Sequence, residues 1–215
     1  MGRTLGFYVL RPEIEVKGQL GTKHEQLSED RLHFVEKQRV VVDDFDASGL
    51  VLDLGGGGEG IIGRLKGDQV VAVDASREEL EEAPDGPLKI VMDARDLKFL
   101  DGTFAVVTSF FTLMYLDQGD HRVVLEEALR VLLPGGRFLI WGLSVPDRLN
   151  EKKDVLVLPL LVELPSAEVE TGYGIAWPEE PFSIHHYVEL ARQVGFEVME
   201  RQERERVFHL SLRKP

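Results

Sequence analysis

From residue 51 to residue 142 the chain alternates short, almost uninterrupted apolar runs with polar stretches that carry helix signals. The runs span residues 50–54, 70–74, 88–92, 104–110 and 137–142. Runs without polar alternation suit strands covered on both faces, and such strands separated by helices form βαβ units in a parallel sheet. Ser76-Arg77-Glu78-Glu79 reads as a capping box, and Pro84 stops the short helix it opens. Over residues 121–133, Val124, Leu125, Ala128, Leu129 and Leu132 recur at helical spacing, and Pro134-Gly135-Gly136 ends that helix before the next strand.

The flanks follow other patterns. Residues 25–42 place Leu27, Phe34, Val35, Val41 and Val42 on one helical face, which predicts a helix packed over the start of the sheet. Ser183 caps a helix whose Tyr187, Leu190, Ala191 and Val194 form an apolar stripe, with Gly195 at its C-terminal end. Residues 196–200 and 206–213 alternate apolar and polar positions, as a closing antiparallel hairpin requires. Residues 4–20 and 154–177 read as extended segments outside the parallel core. With no linker or internal repeat, the expectation is one domain over residues 1–215. Its core covers about 30–143 and 182–215, and residues 1–29 and 147–181 are lid or substrate elements.

Composition narrows the chemistry. The chain has 215 residues, 43% hydrophobic and 29% charged, which suits one buried core in a globular protein. Its longest apolar run, residues 155–162, is broken by Pro159 and is too short to span a bilayer, which takes about 20 helical residues. The first residues lack an apolar stretch with a cleavage site, so a cytoplasmic location is expected. The absence of cysteine removes disulfides, thiolate metal sites and thiol nucleophiles together, and no ligand spacing for a metal is found elsewhere. A net charge of -13 would repel a phosphate backbone, so nucleic acid is not the expected partner. Arg201, Arg204, Arg206, Arg213 and Lys214 cluster, but Glu200, Glu203 and Glu205 interleave with them as on a solvated strand edge.

The chemical signal is Val51-Leu52-Asp53-Leu54-Gly55-Gly56-Gly57-Gly58-Glu59-Gly60, a strand entering a glycine-rich turn. Glycines let a backbone turn sharply and approach a ligand closely. Gly55, Gly57 and Gly60 satisfy the GxGxxG spacing, which alone also serves any tight strand-to-helix turn. The next strand ends at Asp74, where this architecture places a carboxylate on ribose hydroxyls. An adenosine-containing ligand is therefore expected, and Asp53 separates the two common ones. At about 5 Å and an effective dielectric of about 20, a carboxylate beside a diphosphate costs roughly 3 kcal/mol per charge pair, which disfavours NAD about a hundredfold. The same carboxylate attracts the α-ammonium of S-adenosylmethionine.

These residues resemble the class I S-adenosylmethionine-dependent methyltransferases, in particular the small-molecule group with a ubiquinone/menaquinone-methyltransferase-like or type 11 domain. The resemblance covers roughly residues 30–143. Its first motif is residues 51–57, and the family's acidic residue after the second strand corresponds to Asp74, followed by Ala75. The family's Asp-Ala pair after the third strand corresponds to Asp93-Ala94, which implies that Asp93 accepts from the adenine amine. Residues 97–104 resemble the connection into the fourth strand, with Lys98 in place of the usual Pro and Ala105 in place of an Asp. Leu132-Leu133-Pro134-Gly135-Gly136 resembles the turn before the fifth strand. What the resemblance implies is a Rossmann-like α/β fold, a mostly parallel seven-stranded sheet with an antiparallel final hairpin and helices on both faces. The implied cofactor is S-adenosylmethionine, with S-adenosylhomocysteine as product.

Methyl transfer is an in-line displacement that needs alignment and exclusion of water more than acid–base groups. Ser109, Phe110 and Phe111, at the end of the fourth strand, are expected beside the cofactor, with the acceptor pocket above them. The motif that binds nucleobase amino groups is missing there, since the strand ends Ser109-Phe110-Phe111-Thr112. The acceptor is thus read as a small molecule of unidentified structure. Candidate acceptor-side residues are His24, Tyr115, Tyr173, Trp177, His185 and His186. Tyr173 and Trp177 lie in a glycine-bearing segment that makes either a lid or a packed hairpin, and Tyr8 or His24 is placed to cover the cofactor. A non-catalytic binding module on this fold and a protein methyltransferase are the alternative functions. The sequence leaves the oligomeric state open.

Overall fold

A computed structural model describes residues 6–10, 15–18, 29–148, 153–178 and 180–215. Strands β1 (Gly6–Leu10), β2 (Glu15–Gly18), β3 (Leu32–Phe34) and β4 (Gln38–Val41) come first. They are followed by β5 (Val51–Leu54), α1 (Ile61–Lys66), β6 (Val70–Asp74), α2 (Arg77–Glu82), β7 (Leu88–Val91), β8 (Phe104–Phe110), α3 (Gln118–Val131) and β9 (Leu132–Leu143). The hairpin β10 (Val155–Leu164) and β11 (Ala167–Ala176) precedes α4 (Ile184–Val194), β12 (Glu197–Arg204) and β13 (Val207–Arg213).

These elements form two compact units, one of Met1–Asp43 with Val145–Phe182 and one of Asp44–Ser144 with Ser183–Pro215. The first is a six-stranded sheet in the order β2-β1-β11-β10-β3, with β4 also paired to β10. The helix expected over residues 25–42 is overturned here within its described part. Residues 32–34 and 38–41 are strands, joined parallel to β10 more than 110 residues later in the chain. Gln38, Val40 and Val42 are buried while Arg39 and Val41 face out, a period of two. The run Val40-Val41-Val42 is β-branched, and pairing with a distant strand overrides a helical spacing that propensity supports only weakly. The extended reading of residues 154–177 holds: they form a packed antiparallel hairpin.

Residues 30–43, also expected in the core, belong to the first unit, while the second unit holds the apolar runs of residues 50–142. Its seven strands run in the order β12-β13-β9-β8-β5-β6-β7. Strands β5 to β9 are parallel, and β13 is antiparallel to both β9 and β12. Val51, Leu52, Leu54, Val70, Val73, Phe104, Val107 and Ile140 are fully buried, as a doubly covered sheet demands. The chain progresses outward from β5 through β6 to β7, then restarts on the other side of β5 with β8 and β9. Right-handed crossovers therefore put α1 and α2 on one face and α3 on the other. Ser76 and Ser183 cap α2 and α4 as expected, each accepting from an amide of the first turn at 3.3 Å. Gly195 closes α4 at φ +112°. One boundary shifts: α3 ends at Val131, because Leu132 already pairs with Phe104, so Pro134-Gly135-Gly136 lies within the span of β9.

Two polar arrangements lock α3 in place. Arg130 donates to the carbonyls of Leu97 and Phe99 and to Asp101, each at 2.8 Å, and forks onto Glu127, which also accepts from the Leu97 amide at 2.7 Å. The loop that enters β8 is thereby tied down although Lys98 replaces a stiffening proline. At the start of the helix, His121 Nε2 lies 2.9 Å from the Leu113 carbonyl, which only accepts, so this nitrogen carries the proton. His121 Nδ1 then accepts from His186 Nε2 at 2.9 Å, joining α3 to α4.

Arg130→Met removes a donor from two carbonyls and two carboxylates, and is expected to destabilise the protein by about 1–3 kcal/mol in urea unfolding. Faster amide exchange should be confined to residues 97–102. Burial lowers the His121 pKa to about 4. The unfolded chain therefore takes up this proton first, and stability present above about pH 6.5 is lost as pH falls toward 4. Unfolding midpoints at pH 7, 5.5 and 4.5 for the parent and His121→Gln should converge as the pH falls; parallel curves would refute this linkage.

Candidate functional site

The order of the sheet reverses between β5 and β8, and in open α/β sheets ligands bind beyond the C-terminal ends of the strands at that point. Asp53 and Thr108 face each other there in register. Asp53 is only 3% exposed, and its carboxylate accepts the Thr108 hydroxyl at 2.8 Å. Burial pushes its pKa up to about 7, against the pull of Thr108 and assisted by the negative charge of Asp74. At neutral pH this carboxyl is close to half ionised and takes on full charge readily when a cation arrives.

Asp74 closes β6. Its carboxylate accepts from the Ser76 amide at 2.8 Å and from the amides of Gly57 and Ala75. Burial nevertheless raises its pKa above the ordinary carboxylate value. Among the described residues neither Asp53 nor Asp74 forms an ion pair.

The glycine loop lies between the two acids, its first amides, of Gly55 and Gly56, donating to the Val73 carbonyl at 2.8 and 3.1 Å. Two of its glycines are required by space. Gly55 stands at φ +72°, and a Cβ there would lie 2.3 Å from the Thr112 hydroxyl. A Cβ on Gly57 would lie 2.5 Å from the Glu79 Cβ and 2.9 Å from Asp74 Oδ2. Thr112 clasps the loop to the other half of the sheet, donating to the Leu54 carbonyl at 2.8 Å. It reaches that position because the preceding Phe111 adopts φ +56°, a left-handed conformation uncommon for a bulky residue. Strained backbone of this kind persists where surrounding packing over-determines it.

The remaining candidates divide. Ala75 is exposed in the turn after Asp74, and Asp93 and Ala94 are half-buried just beyond β7. Asp93 is forked by Arg95, which holds its carboxyl below the usual range. Ser109 and Phe110 lie in the interior at the end of β8; the Ser109 hydroxyl has no hydrogen-bond partner, and Phe110 packs edge-on against Phe111. Tyr115 is half-buried, and burial with the negative charges of Glu59, Glu79 and Asp74 raises its phenol well above the ordinary range. It stays neutral and suits a wall better than a base. His186 is engaged by His121, and His185 is exposed.

Tyr173 and Trp177 belong to the first unit and are 5% and 6% exposed. The Trp177 indole donates to the Pro146 carbonyl at 3.0 Å and packs against His33. His24 lies outside the described residues, as does any account of the Tyr8 side chain. Sequence reasoning missed Thr108, Thr112 and Arg95. The trace of the first was a hydroxyl residue directly after the apolar stretch 104–107; the contacts of Thr112 with Leu54 and of Arg95 with Asp120 join segments far apart in the chain.

No group of three or more His, Asp or Glu residues among those described is placed to hold a metal. No described helix is long and apolar enough to cross a membrane.

Comparison with known proteins places this geometry. Residues 52–140 match the family described as a methyltransferase domain. A malonyl-[acyl-carrier protein] O-methyltransferase from Alcanivorax borkumensis is 31% identical over 134 residues, which are 54% of this chain and 44% of that protein. The chain thus covers less than half the length of this curated relative. An S-adenosylmethionine-dependent methyltransferase from Mesorhizobium loti shares the fold, with a TM-score of 0.54 and 15% identity over 76% of this chain and 90% of that one. Another, from Methanosarcina mazei, does so at 0.56 and 19% identity, over 79% and 92%. The family and the fold imply S-adenosylmethionine as the cofactor, and Asp53 and Asp74, which form no ion pair among the described residues, fit its ammonium and its ribose hydroxyls. Within the second unit, residues 52–140 thus match the methyltransferase-domain family, and the chain shares its fold with S-adenosylmethionine-dependent methyltransferases.

Proposed function

We propose that this chain transfers the methyl group of S-adenosylmethionine to a small-molecule acceptor. The observation that carries this is the pair Asp53 and Asp74, one buried and one half-buried acid on either side of a glycine loop, neither with an ion-pair partner among the described residues. Such a site asks its ligand to bring positive charge to the first acid and hydroxyls to the second, which S-adenosylmethionine does, whereas a dinucleotide would bring its anionic diphosphate to the first. When bound, the sulfonium of S-adenosylmethionine would supply an activated methyl group for in-line attack by the acceptor, with S-adenosylhomocysteine as the neutral thioether leaving group. Asp53 holds the ammonium, Asp74 takes the ribose hydroxyls, and the Phe111–Thr112 corner keeps the loop at its distance. Tyr115, neutral at working pH, serves as a wall that excludes water. The O-methyltransferase relative favours transfer over passive binding. The segments outside the matched stretch, residues 1–29 and 147–181, are assigned to acceptor choice, and an acidic protein without cysteine suits the cytoplasm.

Calorimetric titration with S-adenosylmethionine, S-adenosylhomocysteine and NAD is expected to show micromolar binding of the two sulfur ligands and none of NAD. Asp74→Ala should weaken the sulfur ligands at least tenfold, and tight NAD binding would refute the reading. Asp53 adds a pH dependence. Its free pKa of about 7 falls when an ammonium binds, so a proton is released at lower pH and affinity rises as pH goes from 5.5 to 7.5. Above that window the ligand's own α-amino group begins to lose its proton. Asp53→Asn should remove the slope, and a flat profile in the parent would exclude Asp53 from the ammonium site.

A further inference from the structure

We propose that Arg95 gates the base end of the cofactor site: it competes with the exocyclic amine of adenine for the Asp93 carboxylate and withdraws onto Asp120 when the base binds. This rests on the reading of the site given above. Strands β5, β6 and β7 are consecutive neighbours, and each is followed or closed by an acid: Asp53, Asp74 and Asp93. The Met92 amide donates to the Asp74 carbonyl at 2.9 Å, which fixes Asp93 one strand further along the same edge. Across the sheet the outer acids lie two strand spacings apart, about 10 Å, and the register sets each successive acid two residues further along, since Asp53 pairs with Ala72 and Asp74 with Val91. A ligand with its ammonium at the first acid and its ribose at the second brings its base to the third.

At that third position most of the acceptor capacity is already taken. Asp93 Oδ1 accepts from the Arg95 amide at 2.9 Å and from Arg95 Nε at 3.0 Å. Oδ2 accepts from Nε at 3.1 Å and from Nη2 at 2.7 Å. Three hydrogens, those of the Arg95 amide, Nε and Nη2, share the four lone pairs of the carboxylate, with Nε bifurcated between both oxygens, so an adenine amine meets an acceptor that the guanidinium already shares and weakens. Arg95 has somewhere to go: its Nη1 donates to Asp120 on α3 at 2.7 Å. The three side chains are 43%, 45% and 33% exposed for Asp93, Arg95 and Asp120. Ion pairs this exposed stabilise by no more than about a fivefold factor, so the exchange is within reach of a ligand amine. While forked, the guanidinium presents donors to the base pocket, which suits a base carrying a carbonyl oxygen better than one carrying an amine. Arg95 therefore narrows the preference for adenine over hypoxanthine and slows entry of the cofactor.

The test is calorimetry on the full chain with S-adenosylhomocysteine and with S-inosylhomocysteine, whose base has a carbonyl oxygen in place of the amine. Arg95→Met is expected to tighten the adenine ligand by about two- to fivefold and leave the inosine ligand unchanged or weaker. Asp120→Asn, which removes the second anchor, should weaken the adenine ligand by a similar factor, and the double variant should behave as Arg95→Met. Weaker adenine binding in Arg95→Met, or an equal change for both ligands, would show that Arg95 merely holds Asp93 in place and overturns the proposal. Absence of S-adenosylhomocysteine binding in the unmodified protein overturns the cofactor reading, and the gate with it.

Discussion

The hydrogen bond from Thr108 to Asp53 joins the two halves of the sheet where its order reverses, and the site is organised around it. A carboxylate taken this far out of water is costly when charged, and one hydroxyl does not make good the loss of hydration. The carboxyl responds by rising to about pH 7, a store of unmet demand for positive charge. The same demand extends to Asp74, whose partners are amides alone, and through space to the phenol of Tyr115. A site built this way selects its ligand by charge before shape contributes.

Around that centre the backbone is under close spatial constraint. Thr112 and Gly55 occupy contact distance from opposite strands, and the turn that delivers Thr112 depends on the left-handed Phe111. The loop, the corner after β8 and the start of α3 consequently behave as one support. Phe111 packs against Phe110, Phe110 against Trp141, and His121 returns α3 to the Leu113 carbonyl. Farther along the strand ends, Arg95 and Arg130 replace covalent stiffness with bidentate and multiple hydrogen bonds in the loop 93–101. Polar clamps of this kind fix position and can be exchanged, whereas a proline fixes position only.

The parallel core was legible in the chain because each of its strands is an apolar run, and burial on both faces requires that regardless of neighbours. Caps at Ser76 and Ser183 and the C-terminal glycine of α4 were legible for a similar reason: each satisfies a local backbone demand. So were Asp53 and Asp74, placed by their distance from the ends of apolar runs. Residues 25–42 were not. Their spacing admits a helix, and only β10, arriving from the far side of the core segment in sequence, converts them to strands.

By itself, then, the sequence determined the doubly covered sheet, its glycine turn and the two acids that ask for a cation, since those follow from burial and from spacing within one segment. Tertiary structure decided which groups those acids meet. Thr108 opposite Asp53, Thr112 over Gly55, Arg95 between Asp93 and Asp120, and His121 against His186 each join residues that local pattern leaves unrelated. Contacts of that kind arise from strand order and helix packing, and from there come the raised carboxyl, the strained corner and the occupied acceptor at the base end of the site.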